Sequence, residues 1–460
     1  MSVTYIDYEI QENIFSTPEI KTVFDETARI QRWLTIEATL AEVQAEYGAI
    51  PPEAAAEIRK WAVLDHLDLE KIKQDYRNGR NSIIPVIKAL SDRCSDDHGE
   101  YVHYGITTQD VVDTGQMLEL KEVLSVLYRD TRQVEAMLLK MAETHSTTVM
   151  IGRTHGQYAL PITFGLKVSV WIDELRRHIE RIKSLASRIL VGQLSGPVGT
   201  FSALGEQALD ISAVTLQRLG LSFSPIAWHV SRDNIAEFSA VLTMLSASIA
   251  KIANEIFQLS KSDVLELEEG AGAGKKMSSS AMPHKNNPVL SQRIIVIAKH
   301  VRALSGVVME SMVHENERDP RSLWAEWLSI PQISIYTAAS LDNMLKLLQN
   351  LTIHPEQMKF NLQKLGEYIA SEHLMMKLSR SMGKMCAQEK LHTLMQLTKT
   401  AQVSLKEALL SDAEIGPLLD EEDLKIIENP AQYIGQSQNI VQHQIKKIYQ
   451  LRATEGETLI

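Results

Sequence analysis

Three long stretches of the chain carry apolar residues at alternating steps of four and three, and this spacing limits the fold more than any other feature. Between 233 and 263 the series runs Phe238, Leu242, Leu245, Ile249, Ile252, Ile256 and Leu259. Between 115 and 143 it runs Leu120, Leu124, Leu127, Thr131, Val134, Leu138 and Met141, with one polar member. From roughly 161 to 190 it passes through Phe164, Val168, Trp171, Leu175, Ile179 and Ile182. Four-three steps place one apolar seam along a helix. At about 1.5 Å per residue, about 28 residues span roughly 40 Å. A helix of that length needs other long helices beside it. Ala247, Ala250 and Ala253 flank the 233–263 seam and let neighbours approach closely. A monomeric bundle and a bundle completed by partner subunits both satisfy this spacing. Strand-like alternation is almost absent, so the predicted fold class is all-α. The expected units are an N-terminal helical domain (1–110), a central long-helix bundle (111–345) with a polar loop at about 270–290, and a C-terminal helical domain (346–460).

Composition narrows the classes of function. The 460 residues are 44% hydrophobic and 23% charged, ordinary for a folded chain. The net charge of −11 argues against nucleic acid or an anionic membrane as partner. The two cysteines, Cys94 and Cys386, lack metal-ligand spacing, so neither a disulfide framework nor a zinc site is expected. The N-terminus lacks a basic stretch followed by an apolar run, and no segment approaches the roughly 18 charge-free apolar residues of a membrane span. A cytoplasmic setting is the expectation.

Three polar clusters interrupt the helical pattern. Thr107, Thr108 and Gln109 precede the 115–143 seam, at a predicted helix N-terminus where backbone N–H groups favour a carboxylate. The same residues also serve as a helix cap. Gly152-Arg153-Thr154-His155-Gly156-Gln157 places an imidazole in a flexible glycine setting, where it can exchange a proton near neutral pH or be a hydrogen-bonded structural residue. Ser278-Ser279-Ser280-Ala281-Met282-Pro283-His284-Lys285-Asn286-Asn287-Pro288 follows a glycine-rich run. A serine hydroxyl becomes a base only where cations and N–H donors favour the alkoxide and water is excluded. Lys285 and the loop amides could supply that, whereas a plain surface linker gains little from Met282-Pro283.

In this order the clusters resemble the three conserved regions of the fumarase/aspartase superfamily, over about residues 10–440. Ser279-Ser280-Ala281-Met282-Pro283-His284-Lys285-Asn286-Asn287-Pro288 is the most specific element, although Ser278 stands where the family usually has glycine. The resemblance implies a three-domain, mostly helical subunit, a homotetramer with a twenty-helix core, and active sites drawn from three subunits. It also implies elimination from, or addition to, a small succinyl-type polycarboxylate through an aci-carboxylate carbanion, with neither cofactor nor metal. By this match Ser279 is the catalytic base and His155 the histidine tied to acid catalysis. Thr107, Thr108, Gln109, Thr154, Trp228, His229, Arg232, Ser280, Lys285, Asn287 and Arg318 are the expected substrate-binding residues.

Within the superfamily, Pro283-His284-Lys285 is similar to the adenylosuccinate lyase and 3-carboxy-cis,cis-muconate cycloisomerase branch. The stretch from Phe15-Ser16-Thr17-Pro18-Glu19 to Glu37-Ala38, Gln109, and Trp228-His229 resemble the cycloisomerase side. Trp324-Ala325-Glu326-Trp327 replaces a pattern containing a phosphate-binding arginine. Asn81 falls where adenylosuccinate lyases place a catalytic histidine, and Gln292 where a glutamate would charge the second one. Gly152-Arg153-Thr154-His155 and the 166–182 segment look instead like adenylosuccinate lyase. The resemblance therefore points to a lyase or cycloisomerase without nucleotide-phosphate binding. A remodelled adenylosuccinate lyase is the alternative. A non-catalytic structural descendant is disfavoured by Ser279, Lys285, Asn287 and His155.

Overall fold

The computed structural model describes residues 4–8, 10–11, 13–79, 83–270, 282 and 284–459, Lys399 by its backbone alone. Each predicted seam forms one helix. We label the principal helices α1 (Glu26–Glu46), α2 (Thr108–Thr144), α3 (Phe164–Ile189), α4 (Asp233–Leu259), α5 (Val289–Glu310) and α6 (Pro320–Gln349). Helices α2 to α6 form the central bundle: α2 packs on α3, α4 on α5, α5 on α6, and α6 also touches α2 and α4. All seven seam residues of α4 are buried, as are those of α3. Each large apolar side chain so buried contributes about 1.5–3 kcal/mol relative to exposure. Helix α4 is long and apolar enough to cross a membrane, closer to that limit than the sequence suggested, but most of it is buried in the bundle.

Local chemistry sets the helix ends. Helix α2 starts at Thr108, well before its seam, because the Asp110 carboxylate accepts from the Thr107 N–H at 3.0 Å. Asp319 caps α6 through the Arg321 N–H, with Pro320 in the first turn. Helix α4 ends at Leu259 rather than running to 263. Leu265 then takes a left-handed conformation (φ 52°), and the chain enters the short strand Leu267–Glu269.

Three short strand pairs among the described residues depart from the helical expectation, the longest of them ahead of α3. Strands β1 (Val149–Thr154) and β2 (Gln157–Thr163) form an antiparallel hairpin ahead of α3, with a register shift between Ile151 and Arg153. The principal apolar core joins the N-terminal helices to the bundle through Ile20, Trp33 and Ile58, whereas Leu374, Leu378, Leu409 and Ile427 build a separate C-terminal core. The last helix, Ser437–Thr454, returns Val441 and Ile448 to the principal core.

Candidate active site

A buried ion cluster draws three helix N-termini together. Arg232, the residue before α4, is fully buried. Its Nη1 and Nη2 donate to Asp113 of α2 at 3.0 and 3.2 Å, and its Nε and Nη2 donate to Glu326 of α6 at 2.9 and 2.5 Å. The guanidinium also lies over the Trp228 ring, 4.9 Å from its centre. Arg232, expected to bind substrate, thus has all three nitrogens engaged by carboxylates. Burial pushes the Glu326 carboxyl above its ordinary value, even with Arg232 pulling it down.

Asp110 is a second hub, one turn nearer the start of α2. Its Oδ2 accepts from the Thr107 and Gly196 N–H groups at 3.0 and 2.8 Å, and its Oδ1 accepts from His229 Nε2 at 2.8 Å. Gly196 sits at φ 82°, a conformation that favours glycine in the Gly/Pro-rich turn. Gln109 Nε2 donates to Asp113 and to the His229 carbonyl, both at 3.0 Å. Gln193, which the sequence reading did not single out, donates to Asp113 at 2.7 Å and accepts from the Trp228 N–H at 2.8 Å. Arg318, just before α6, donates through Nη2 to Thr107 Oγ1 at 3.1 Å and to the Pro197 carbonyl at 2.9 Å. Thr107, Gln109, Trp228, His229, Arg232 and Arg318 therefore belong to one connected region, and Thr108 begins the helix beside them.

The other expected residues lie on different elements. Thr154 and His155 are exposed at the β1–β2 turn, where His155 adopts φ 51°. Arg153 anchors this hairpin by donating to the buried Glu266 at 2.6 and 3.0 Å. Lys285, Asn287 and Gln292 are exposed at the start of α5. The end of the polar loop is held by Glu269, whose carboxylate accepts from the Leu290 and Ser291 N–H groups at 3.0 and 2.9 Å. Asn286 Nδ2 donates to the Glu269 carbonyl at 2.6 Å and to Glu268 at 2.9 Å. Ser279, Ser280 and Asn81 lie outside the described residues.

A lyase family model matches residues 15–303, and an adenylosuccinate lyase C-terminus model matches residues 367–443. The chain belongs to the fumarase/aspartase superfamily of lyases. It is 35% identical to N-acetyl-S-(2-succino)cysteine lyase of Dickeya dadantii over 446 residues, covering 97% of this chain and 98% of that one. It is 37% identical to adenylosuccinate lyase of Methanothermobacter thermautotrophicus over 436 residues, covering 94% and 97%. The 3-carboxy-cis,cis-muconate lactonizing enzyme of Pseudomonas putida superposes with a TM-score of 0.89 at 28% identity, covering 97% and 100%. This lyase is thus similar to members named for different substrates.

A titratable pair supports the entrance to α2. Glu37 of α1 accepts from the His103 backbone N–H at 3.0 Å and from Nδ1 at 2.7 Å. Burial pulls the His103 pKa down, but the hydrogen bond and charge of Glu37, aided by Asp110, outweigh it and raise the pKa above its ordinary value. A raised histidine pKa contributes stability that is full below the unfolded-state pKa and is lost as pH rises through the folded one. His103→Gln should therefore cost about 1.5–3 kcal/mol at about pH 5.5 and less at about pH 8.5. Urea unfolding at both pH values checks this, and an equal cost at both would refute it.

Proposed function

We propose that this lyase eliminates fumarate from a small succinyl-bearing substrate whose leaving group is a thiol, without binding a nucleotide phosphate. The observation that carries the reading is the commitment of Arg232. With its nitrogens on Asp113 and Glu326 and its face against Trp228, it is not presented to a phosphate. Trp324-Ala325-Glu326-Trp327, in place of the pattern that carries a phosphate-binding arginine, supplies indoles and no cation.

In the proposed reaction Ser279 removes the proton from the carbon next to a carboxylate. The electron pair moves into that carboxylate as an aci-carboxylate. Its return forms the carbon–carbon double bond and expels the thiolate, which then takes a proton. Thr107, Thr108, Lys285, Asn287 and Arg318 hold the substrate carboxylates, with Thr154, Ser280 and His229 as further contacts. Donors concentrated where charge develops lower the barrier. Asn81 and Gln292 stand where a histidine and a glutamate would strengthen acid catalysis, and a thiolate, with a pKa near 8.5, needs less help to leave than an alkyl amine. The similarity to the Dickeya dadantii enzyme supports sulfur in particular. We further propose a homotetramer in which the α2 region, the hairpin carrying His155 and the loop before α5 come from three different subunits.

A second reading, 3-carboxy-cis,cis-muconate cycloisomerisation, is favoured by the likeness to the Pseudomonas putida enzyme. There a substrate carboxylate takes the thiol's place, and the product is a lactone. The test is a substrate screen with S-(2-succino)cysteine, its N-acetyl form, adenylosuccinate, and 3-carboxy-cis,cis-muconate with its lactone. We expect kcat/KM for a succinylated thiol to exceed that for adenylosuccinate by at least about 100-fold, or about 2.7 kcal/mol of transition-state binding. Preference for adenylosuccinate would restore the nucleotide reading. Preference for the muconate pair would install the second one.

A further inference from the structure

Pro288 precedes α5, and its ring gives the helix no side-chain cap. The N–H groups of the first turn still need acceptors. The cap comes instead from Glu269, at the end of the short strand Leu267–Glu269. Glu269 is 6% exposed, and its two carboxylate oxygens accept from the N–H groups of Leu290 and Ser291, 21 and 22 residues downstream, at 3.0 and 2.9 Å. A residue beside the helix start could cap α5 equally well. A carboxylate from so far upstream does more, because it ties the start of α5 to a strand. That strand is itself fixed. Leu267, Glu268 and Glu269 pair with Ile353, Thr352 and Leu351, and the Gly270 N–H donates to the Asn350 carbonyl at 2.8 Å. A Cβ at Gly270 would lie 2.3 Å from that carbonyl, so the close approach requires glycine.

Glu269 also holds the chain just ahead of the helix. Its backbone carbonyl accepts from Asn286 Nδ2 at 2.6 Å, and the Glu268 carboxylate accepts from the same nitrogen at 2.9 Å. Asn286 stands between Lys285 and Asn287, the two residues expected to hold a substrate carboxylate. The Lys285 N–H donates to the Met282 carbonyl and the Val289 N–H to the Asn287 carbonyl, at 3.0 and 2.9 Å. One residue thus grips this stretch on both sides of Asn287, by its carbonyl at Asn286 and by its carboxylate at Leu290 and Ser291. We propose that Glu269 is a positioning residue, which sets Lys285 and Asn287 where a substrate carboxylate requires them. This rests on the elimination reading, which gives those two residues their task. Donors fixed in advance need no reorganisation when charge develops on the carboxylate, and a shift of about 1 Å can cost about 100-fold in rate.

Kinetics of the intact oligomer, with whichever substrate the screen above prefers, test this. Glu269→Ala should lower kcat/KM by about 10-fold or more. The same substitution in an enzyme already carrying Lys285→Ala and Asn287→Ala should cost no more than about 3-fold, since the residues it positions are gone. Single turnovers at high enzyme concentration keep that background measurable. Asp420→Ala is the control for a lost cap. Asp420 also accepts from two helix N–H groups, those of Glu422 and Asp423 at 2.9 and 3.0 Å, in the separate C-terminal core. This variant should melt at a lower temperature with kcat/KM unchanged. If Glu269→Ala does not fold, Glu269→Gln, which keeps one accepting oxygen, is read in the same way. An equal loss in both backgrounds overturns the positioning role, as does a Glu269→Ala value within about 3-fold of the unsubstituted enzyme. Turnover of the muconate pair alone overturns the thiol reading, and Glu269 is then judged on that substrate. No turnover of any compound in the screen overturns both.

Discussion

Replacing Ser279 with alanine should lower kcat and kcat/KM for the true substrate together, by about 1,000-fold or more, while leaving fumarate affinity nearly intact. General bases contribute typically about 100- to 10,000-fold, and a group that acts only in the transition state affects both constants equally. The hydroxyl is an effective base only where its alkoxide is stabilised, so the prediction depends on how the loop is held. On its C-terminal side, the Glu269 carboxylate caps α5, and Asn286 is tied back to Glu268 and Glu269. These bonds fix the approach of Lys285 and Asn287, whose side chains are exposed in the single chain. Ser280→Ala, which removes the adjacent hydroxyl, is the control and should stay within about 10-fold. Steady-state release of fumarate measures both variants. A Ser279→Ala rate near that of the unsubstituted enzyme would remove Ser279 from the chemistry.

The helices were legible because their signal is local. Phe238 to Leu259 repeats every three or four residues, and each of those side chains is buried. The ends were less evenly legible: the cap between Thr107 and Asp110 lies where a helix N-terminus was expected, whereas α4 stops at Leu259 and not at 263. The hairpin was missed for a physical reason. Strand β1 buries adjacent residues Met150 and Ile151, which breaks the alternation that marks a half-exposed strand. Gly152 and Pro161 read as breakers, yet a Cβ at Gly152 would lie 2.9 Å from the Leu160 carbonyl, so glycine permits the strands' close approach.

The site divides along the same line. Motif matches brought Thr107, His155 and Lys285 into view because each lies in a short, distinctive run. Nothing local to Arg232 announced that its partners would be Asp113 and Glu326, 119 and 94 residues away. Gln193 was invisible for a related reason. Gln193 matters through Asp113 and Trp228. Only the folded arrangement carries that information.

Arg232→Met should destabilise the protein by about 3–5 kcal/mol, the range for removing one partner of a buried ion pair. An exposed pair would cost only about 0–1 kcal/mol, so the size of the effect separates the two descriptions. The loss comes mainly from Asp113 and Glu326, left as carboxylates in an enclosed place. Asp113 retains Gln109 and Gln193 as donors, whereas Glu326 loses the Arg232 bonds that oppose its burial. Adding Glu326→Gln should therefore recover part of the deficit, and the recovery measures the coupling between positions 232 and 326. The pH dependence has a definite sign. Burial already raises the Glu326 pKa with Arg232 present, and losing that cation raises it further. A carboxyl whose folded pKa exceeds its unfolded one binds protons more tightly when folded, so falling pH stabilises the variant relative to the unsubstituted protein. The deficit should narrow between about pH 8 and about pH 5.5. Urea unfolding at fixed protein concentration measures it. A loss below about 1 kcal/mol, independent of pH, would mean that water reaches the cluster. Arg232 would then be open to a substrate phosphate.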